Sequence, residues 1–170
     1  LGILTLSGFV ILILASLKHN KGHAALLHAV RLLRQQHPGI KCLLVGDGPL
    51  HAELVAEAQR LGLAGHVVFT GLQNDVTPFL EMAHTLVLPT LYREGLSVAL
   101  IEGASSGLPL VGSDLGGIPE VIEHRENGFL VRPGNVGELA AAIGRLIANP
   151  DLRVRMGRAS RAIYKTRFSG

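Results

Sequence analysis

The sequence predicts an α/β fold, a single domain in which about six parallel strands carry helices on both faces. Two observations favour it. Short continuous apolar runs alternate with amphipathic stretches from end to end, and no linker, internal repeat or low-complexity tract interrupts the 170 residues. Continuous apolar runs are typical of strands buried in a parallel sheet, and strand–helix alternation is typical of βαβ units. Residues 1–170 are therefore expected to form one Rossmann-like domain.

The first strand is predicted at 9–15, inside the apolar and uncharged run 1–17. A short membrane helix is the alternative interpretation of this run. Gly2 and Gly8 interrupt it, and its second half is rich in β-branched residues, which favours a buried strand. Further strands are predicted at 40–45, 66–70, 85–88, 108–111 and 128–131.

Helical spacing of apolar residues connects these strands. The stretch 97–106 is almost wholly apolar, so this helix is expected to be buried. Asn135 and Asp151 are predicted to cap the last two helices, because short polar side chains accept hydrogen bonds from free helix amides. Helices are predicted at 22–37, 49–61, 97–106, 136–148 and 151–167.

Composition excludes several classes of protein. The net charge is only +3 and there is no Trp, whereas a nucleic-acid binder more often shows a basic face with aromatic residues between the charges. Cys42 is the only cysteine, so neither an intrachain disulfide nor a CxxC metal site can form. His19 and His23 have i, i+4 spacing, but Gly22 lies between them and no Glu completes an HExxH motif. No metal site is predicted.

Ligands of such folds bind at the carboxyl ends of the strands, so binding residues are expected in the loops that follow strands. Lys21 precedes a helix and could meet a phosphate there, although a lone lysine is more often simply exposed. The sequence Gly-Asp-Gly-Pro at 46–49 begins like a dinucleotide fingerprint, but His51 replaces its third glycine. NAD binding is therefore not predicted.

Two carboxylates frame the most informative stretch. On one continuous helix, Glu94 and Glu102 would lie about 12 Å apart along the axis. If Glu94 instead lies in a loop and the helix begins near 95–97, free amides separate the two acids and form a pocket for sugar hydroxyls and phosphate. The alternative is that Glu94 is exposed and Glu102 pairs with a nearby cation. Spacing alone leaves both interpretations open.

Taken in order, these loops resemble the C-terminal, donor-binding domain of glycosyltransferase family 4, a family of retaining enzymes with the GT-B fold. Glu94 and Glu102 match its E-x7-E motif, and Lys21-Gly22 stands at its KG. Residues 113–120, Ser-Asp-Leu-Gly-Gly-Ile-Pro-Glu, resemble its sd-x-GG-x-PE loop, whose paired glycines permit close backbone approach to a ligand. Residues 127–131 resemble its nG-x-lv strand.

The resemblance implies transfer of a sugar from a nucleotide-diphosphate sugar with retention and without a metal or other cofactor. Lys21 and Glu94 would be the catalytic residues, Lys21 against the donor diphosphate and Glu94 against hydroxyls of the donor sugar. A role for Glu94 as covalent nucleophile is the less favoured alternative. No Asp-x-Asp pair occurs in the sequence.

The resemblance also implies a wider donor site. Glu102 would accept hydrogen bonds from the ribose, and the base would lie near Gly71 and Leu72. The segment that opens the helix would line the sugar and phosphate, largely through backbone amides: Gly95, Leu96, Ser97 and Val98.

The chain departs from the family pattern at three positions. Ser16 stands where many members carry an arginine that contacts the diphosphate, so one cation is missing unless Lys18 replaces it. Ser97 stands at a usual glycine, and Gly103 at a usual alanine.

In this family the acceptor binds mainly to an N-terminal domain, and nothing in the chain resembles one. The chain is therefore expected to be a fragment that does not turn over alone, with the missing acceptor-binding domain as a partner and no nucleic acid. A non-catalytic nucleotide-sugar-binding module is the alternative function. A cytoplasmic location is expected.

The last predicted helix is strongly basic. It either packs against the absent domain as a solvated helix, the favoured interpretation, or contacts anionic lipid at the cytoplasmic face of a membrane. Its basic residues are Arg153, Arg155, Arg158, Arg161, Lys165 and Arg167.

Overall fold

A computed structural model describes residues 8–170, and the first part of the apolar run, 1–7, lies outside the described residues. Six strands form one sheet in the order β3-β2-β1-β4-β5-β6, and every neighbouring pair is parallel. The predicted fold class is confirmed. The strands are β1 (Val10–Leu14), β2 (Lys41–Val45), β3 (Val67–Gly71), β4 (Thr85–Leu88), β5 (Leu110–Ser113) and β6 (Gly128–Val131).

Six α-helices connect and cover the strands in the described part of the chain. The short helix α3 was not predicted, because one and a half turns are too few to show a periodic pattern. Helix α1 ends before its predicted limit and is followed by turns. The helices are α1 (His23–Leu33), α2 (His51–Arg60), α3 (Thr77–Met82), α4 (Val98–Ser105), α5 (Val136–Ala148) and α6 (Pro150–Arg167).

One predicted cap is confirmed and one is wrong. The Asn135 side chain accepts a hydrogen bond from the Glu138 amide at 2.9 Å, at the start of α5. At α6 the cap is Asn149, whose side chain accepts from the Leu152 amide at 3.1 Å, and Asp151 already lies in the first turn. Proline fits the first helical position because its missing N–H has no partner there, so α6 begins before Asp151.

Strand β1 lies in the middle of the sheet and is buried on both faces. Ile11 and Ile13 pack on the face covered by α1, α2 and α5, whereas Val10 and Leu12 pack on the face covered by α3 and α4. Burial on both faces explains why this strand reads as an uninterrupted apolar run. Within residues 8–170, no helix combines the length and apolar character needed to cross a membrane.

The strand order reverses between β1 and β4. Strands β2 and β3 lie on one side of this point, and β5 and β6 on the other. The helices that follow β1 and β4 therefore cover opposite faces of the sheet, and doubly wound sheets bind ligands in the crevice at such a point. Helix α1 follows β1, and α4 follows the loop after β4.

Candidate functional site

The loops after β1 and β4 are packed backbone to backbone. Gly22 has a left-handed φ of 79°, and a Cβ there would overlap the carbonyl group of Pro89. The Leu91 amide donates a hydrogen bond of 2.8 Å to the Asn20 carbonyl oxygen. Only glycine allows this approach, so the KG pair joins the two loops that border the crevice.

This packing brings two predicted site residues into direct contact. Lys21 Nζ donates a hydrogen bond to Glu94 Oε1 at 2.6 Å. The two side chains are only 23% and 20% exposed. An ion pair this short and this well shielded holds an ammonium and a carboxylate side by side at the mouth of the crevice.

Glu94 lies in the loop, and α4 begins three residues after Gly95, at Val98. The Ser97 side chain accepts a hydrogen bond of 3.2 Å from the Leu100 amide and so caps the helix. Within residues 8–170 the amides of Val98 and Ala99 have no hydrogen-bond acceptor. Free first-turn amides and the helix dipole attract negative charge. The departure from the family glycine at Ser97 thus has a structural role.

Glu102 lies on the second turn of α4 and is partly buried. It has no ion-pair or hydrogen-bond partner in the described part of the chain, so the expected alternative of a neighbouring Arg or Lys is not seen. Burial raises the pKa of the Glu102 carboxyl above its usual value. A half-buried acid without a partner is a free acceptor for hydroxyl groups.

A second part of the predicted site forms a cavity beyond β1, β2 and β3. It has a volume of about 230 Å³, and Ser16 and Leu72 both line it. Leu72 is 78% exposed and offers an apolar surface to this cavity. Gly71 turns the chain into this cavity with a φ of 73°. Ser16 therefore lies on the wall of this cavity.

The paired glycines have an unexpected contact. Gly117 N donates a hydrogen bond of 2.9 Å to the carbonyl oxygen of Glu94, and Gly116 also lies against the Glu94 backbone. The sequence indicated close backbone approach to a ligand. The structure shows approach to the segment that carries Glu94, which no local pattern could reveal.

The burial of three polar side chains was not predicted from the sequence. His23, Thr90 and Ser113 lie at the start of α1 and at the ends of β4 and β5, and their polar side-chain atoms have no partner within residues 8–170. Burial, and then the charge of Lys21, lowers the pKa of His23 to about 4, so its ring is neutral at neutral pH. Nothing in the sequence distinguishes these residues from exposed ones.

Residues 8–170 contain no group of three or more His, Cys, Asp or Glu side chains arranged to hold a metal ion. The positive charge at the crevice comes from Lys21 and the α4 amides. That the protein needs no metal or cofactor stays a prediction.

The fold and the site define an α/β domain of the Rossmann-like type, of the kind found as the C-terminal half of GT-B glycosyltransferases. The chain belongs to the family described as glycosyl transferases group 1, which matches residues 5–163.

Among curated relatives, the amylovoran biosynthesis glycosyltransferase AmsK of Erwinia amylovora is 34% identical over 166 residues, covering 94% of this chain and 41% of AmsK. The lipopolysaccharide core biosynthesis glycosyltransferase LpsD of Rhizobium meliloti is 33% identical over 161 residues, covering 95% of this chain and 46% of LpsD. The chain thus spans less than half the length of these relatives.

Solved glycosyltransferase structures share the fold of this chain. Anabaena HepE in complex with UDP superimposes with a TM-score of 0.88 at 29% identity, covering 95% of this chain and 45% of HepE. The C-terminal domain of the Francisella tularensis protein LpcC has a TM-score of 0.86 at 21% identity, covering 94% of this chain and 86% of that one. The second likeness shows the fold alone.

Proposed function

We propose that this chain is the donor-binding half of a retaining glycosyltransferase of family 4, which transfers a hexosyl group from a nucleotide-diphosphate sugar. The observation that carries the proposal is the Lys21–Glu94 contact of 2.6 Å at the opening of α4. Family membership supports sugar transfer, and HepE, a relative in fold and sequence, was solved with UDP and with UDP-glucose.

Lys21 and the opening of α4 are assigned to the leaving group. Departure of a nucleoside diphosphate leaves growing negative charge on its terminal phosphate. We assign the stabilisation of that charge to Lys21, which contacts Glu94, and to the free amides of Val98 and Ala99, which open α4 four residues after Glu94. Such stabilisation strengthens as the bond breaks, so it accelerates transfer as well as binding.

Glu94 is assigned to the sugar. One oxygen of its carboxylate contacts Lys21, and the second has no partner in the described part of the chain, so it is free to accept hydrogen bonds from sugar hydroxyl groups. Gly95, Leu96 and Ser97 complete this side of the site through their backbone. We favour a sugar anchor over a covalent nucleophile, because the contact with Lys21 lowers the electron density that attack requires.

Glu102 and the cavity are assigned to the nucleoside. The unpaired, half-buried carboxyl of Glu102 would accept hydrogen bonds from ribose hydroxyls. The base would lie against Gly71 and the exposed Leu72, with Ser16 on the cavity wall. An apolar surface in a cavity suits a planar base.

For the whole protein, the proposal includes an acceptor domain and a cellular location. No metal is required, and an N-terminal domain supplies the acceptor site. A cytoplasmic location is the corresponding expectation. Packing of the basic helix α6 against the N-terminal domain is the favoured interpretation, and contact with the cytoplasmic face of a membrane is the alternative.

Calorimetric titration with UDP, UDP-glucose, GDP and GDP-mannose tests the donor site. At least one nucleotide is expected to bind, and Lys21→Met should weaken its binding about tenfold or more, because a charge-assisted contact contributes 1.5–3 kcal/mol. Lys165→Met, on the exposed face of α6, is the matched control. Failure of all four ligands to bind would refute the proposal.

The alternative function, a non-catalytic nucleotide-sugar-binding module, predicts the same nucleotide binding in this titration. The two functions differ in what they predict for the full-length protein, where the alternative predicts binding without sugar transfer. Turnover by the 170-residue chain alone would instead contradict the need for a partner domain.

A further inference from the structure

We propose that Gly116 and Gly117 are positioning residues for Glu94, an inference that rests on the proposed function. They belong to the diglycine loop, defined as residues 114–117 between β5 and the short 3-10 helix Ile118–Glu120. This loop touches the segment that carries Glu94 and fixes where its carboxylate points.

The first observation is the closeness of two backbones. Gly116 has a φ of 56°, and a Cβ there would overlap the carbonyl oxygen of Glu94 and lie 2.8 Å from its amide nitrogen. A Cβ on Gly117 would lie 2.6 Å from the Gly95 carbonyl oxygen and 2.9 Å from the Leu96 nitrogen. Real Cβ atoms do not approach so closely, so both positions require glycine.

The second observation is a hydrogen bond across the same contact. Gly117 N donates to the Glu94 carbonyl oxygen at 2.9 Å. The diglycine loop therefore holds the carbonyl group of Glu94, while Lys21 holds its side chain. Fixing a backbone and a side-chain tip leaves little freedom for the torsions between them.

The third observation is that the diglycine loop is itself anchored. On one side, the Asp114 amide donates to the Val131 carbonyl oxygen at 2.8 Å, which ties the loop to the end of β6. On the other side, Ile118 and Ile122 are each 1% exposed and pack over Gly112 of β5. The diglycine loop is thus fixed relative to the sheet, and its contact with the Glu94 backbone fixes Glu94 relative to the sheet as well.

Gly117→Ala tests the proposal most directly, because Gly117 has an ordinary φ of −83° and alanine adds only the overlap. The readout is the ratio of Kd for UDP to Kd for UDP-glucose, which isolates the contribution of the sugar. We expect this ratio to fall about tenfold while the Kd for UDP changes less than threefold. Gly65→Ala, where a Cβ meets nothing within 4 Å, should leave both unchanged.

A milder variant covers the case in which Gly117→Ala does not fold. Ile118→Val shortens the buried anchor without touching Glu94, and it should lower the same ratio about threefold. Ile143→Val makes the identical change in the core on the opposite face of the sheet and should not.

A crystal structure of Gly117→Ala without ligand gives a readout independent of donor binding. The proposal requires that the Lys21–Glu94 hydrogen bond lengthens beyond 3.5 Å. An unchanged contact, or equal loss of UDP and UDP-glucose affinity, would overturn it. If the unaltered chain binds no nucleotide, the proposed function fails, and this distance still decides whether the diglycine loop positions Glu94.

Discussion

Lys21 and Glu94 are 73 residues apart in the sequence, and their charged groups are 2.6 Å apart in the structure. The contact joins the loop after β1 to the loop after β4, across the point where the strand order reverses. Each group neutralises the other in the free protein. Under the proposed function, a donor offers a negative charge to Lys21 and hydroxyl groups to the second oxygen of Glu94.

Removing the Glu94 charge should separate these two contributions. In Glu94→Gln, Lys21 loses its partner and becomes fully available to a diphosphate, so the affinity for UDP should be retained or rise about twofold to fivefold. The gain in affinity that the sugar provides should disappear. Titration with UDP and UDP-glucose measures both effects.

Glu126→Gln is the control for that experiment, because Glu126 is exposed and has no side-chain partner in the described part of the chain. Parallel loss of affinity for UDP and UDP-glucose in Glu94→Gln would contradict the assignment of Glu94 to the sugar.

Ser97 should stabilise α4 through its cap. Ser97→Ala removes the acceptor for the Leu100 amide and should lower the free energy of unfolding by about 1 kcal/mol. Ser97→Gly, which restores the residue usual in the family, should lower it by only a few tenths of that value. Urea unfolding of both variants gives the comparison, and a larger loss for Gly than for Ala would argue against capping.

Gly22 should be far less tolerant of alanine than Gly134. Both have left-handed φ values, 79° and 75°, so alanine strains either backbone by about 1–2 kcal/mol. At Gly134 the new Cβ would meet only Leu91 Cδ2, at 3.8 Å, whereas at Gly22 it would overlap the Pro89 carbonyl group. The difference between the two free energies of unfolding therefore measures the close approach of the β1 and β4 loops. Equal losses would mean that these loops can move apart.

Stability should fall in mild acid because of His23. Its pKa is about 4 in the folded chain and 6.5 in the unfolded chain, so between these values the unfolded state binds a proton that the folded state does not. The free energy of unfolding should decrease as the pH drops from 6.5 towards 4, by at most about 3 kcal/mol from this residue. Burial lowers the pKa of His84 as well, which acts in the same direction.

Urea unfolding between pH 7.5 and 4.5 checks this prediction. His23→Leu should flatten the pH dependence, and His19→Gln, at an exposed position, should not. An unchanged slope in His23→Leu would place the acid sensitivity elsewhere.

The strands and most helices could be predicted because their signals are local. The apolar run of β1 and the amphipathic spacing of α1 reflect which faces are buried, and each can be seen within a dozen residues. Helix α3 is too short to repeat a pattern, and the cap of α6 lies at Asn149 and not at Asp151 because Pro150 is the first helical residue.

Some features of the candidate site could likewise be predicted from the sequence, and others could not. The sequence by itself determined the fold class and the residue types at the carboxyl ends of the strands, among them Lys21, Glu94 and the paired glycines. Only the tertiary structure decided that Lys21 contacts Glu94, that Glu102 has no partner in the described residues, and that Gly117 holds the Glu94 backbone. The physical reason is that secondary structure follows from the burial of neighbouring residues, whereas contacts between loops depend on the order in which the strands enter the sheet.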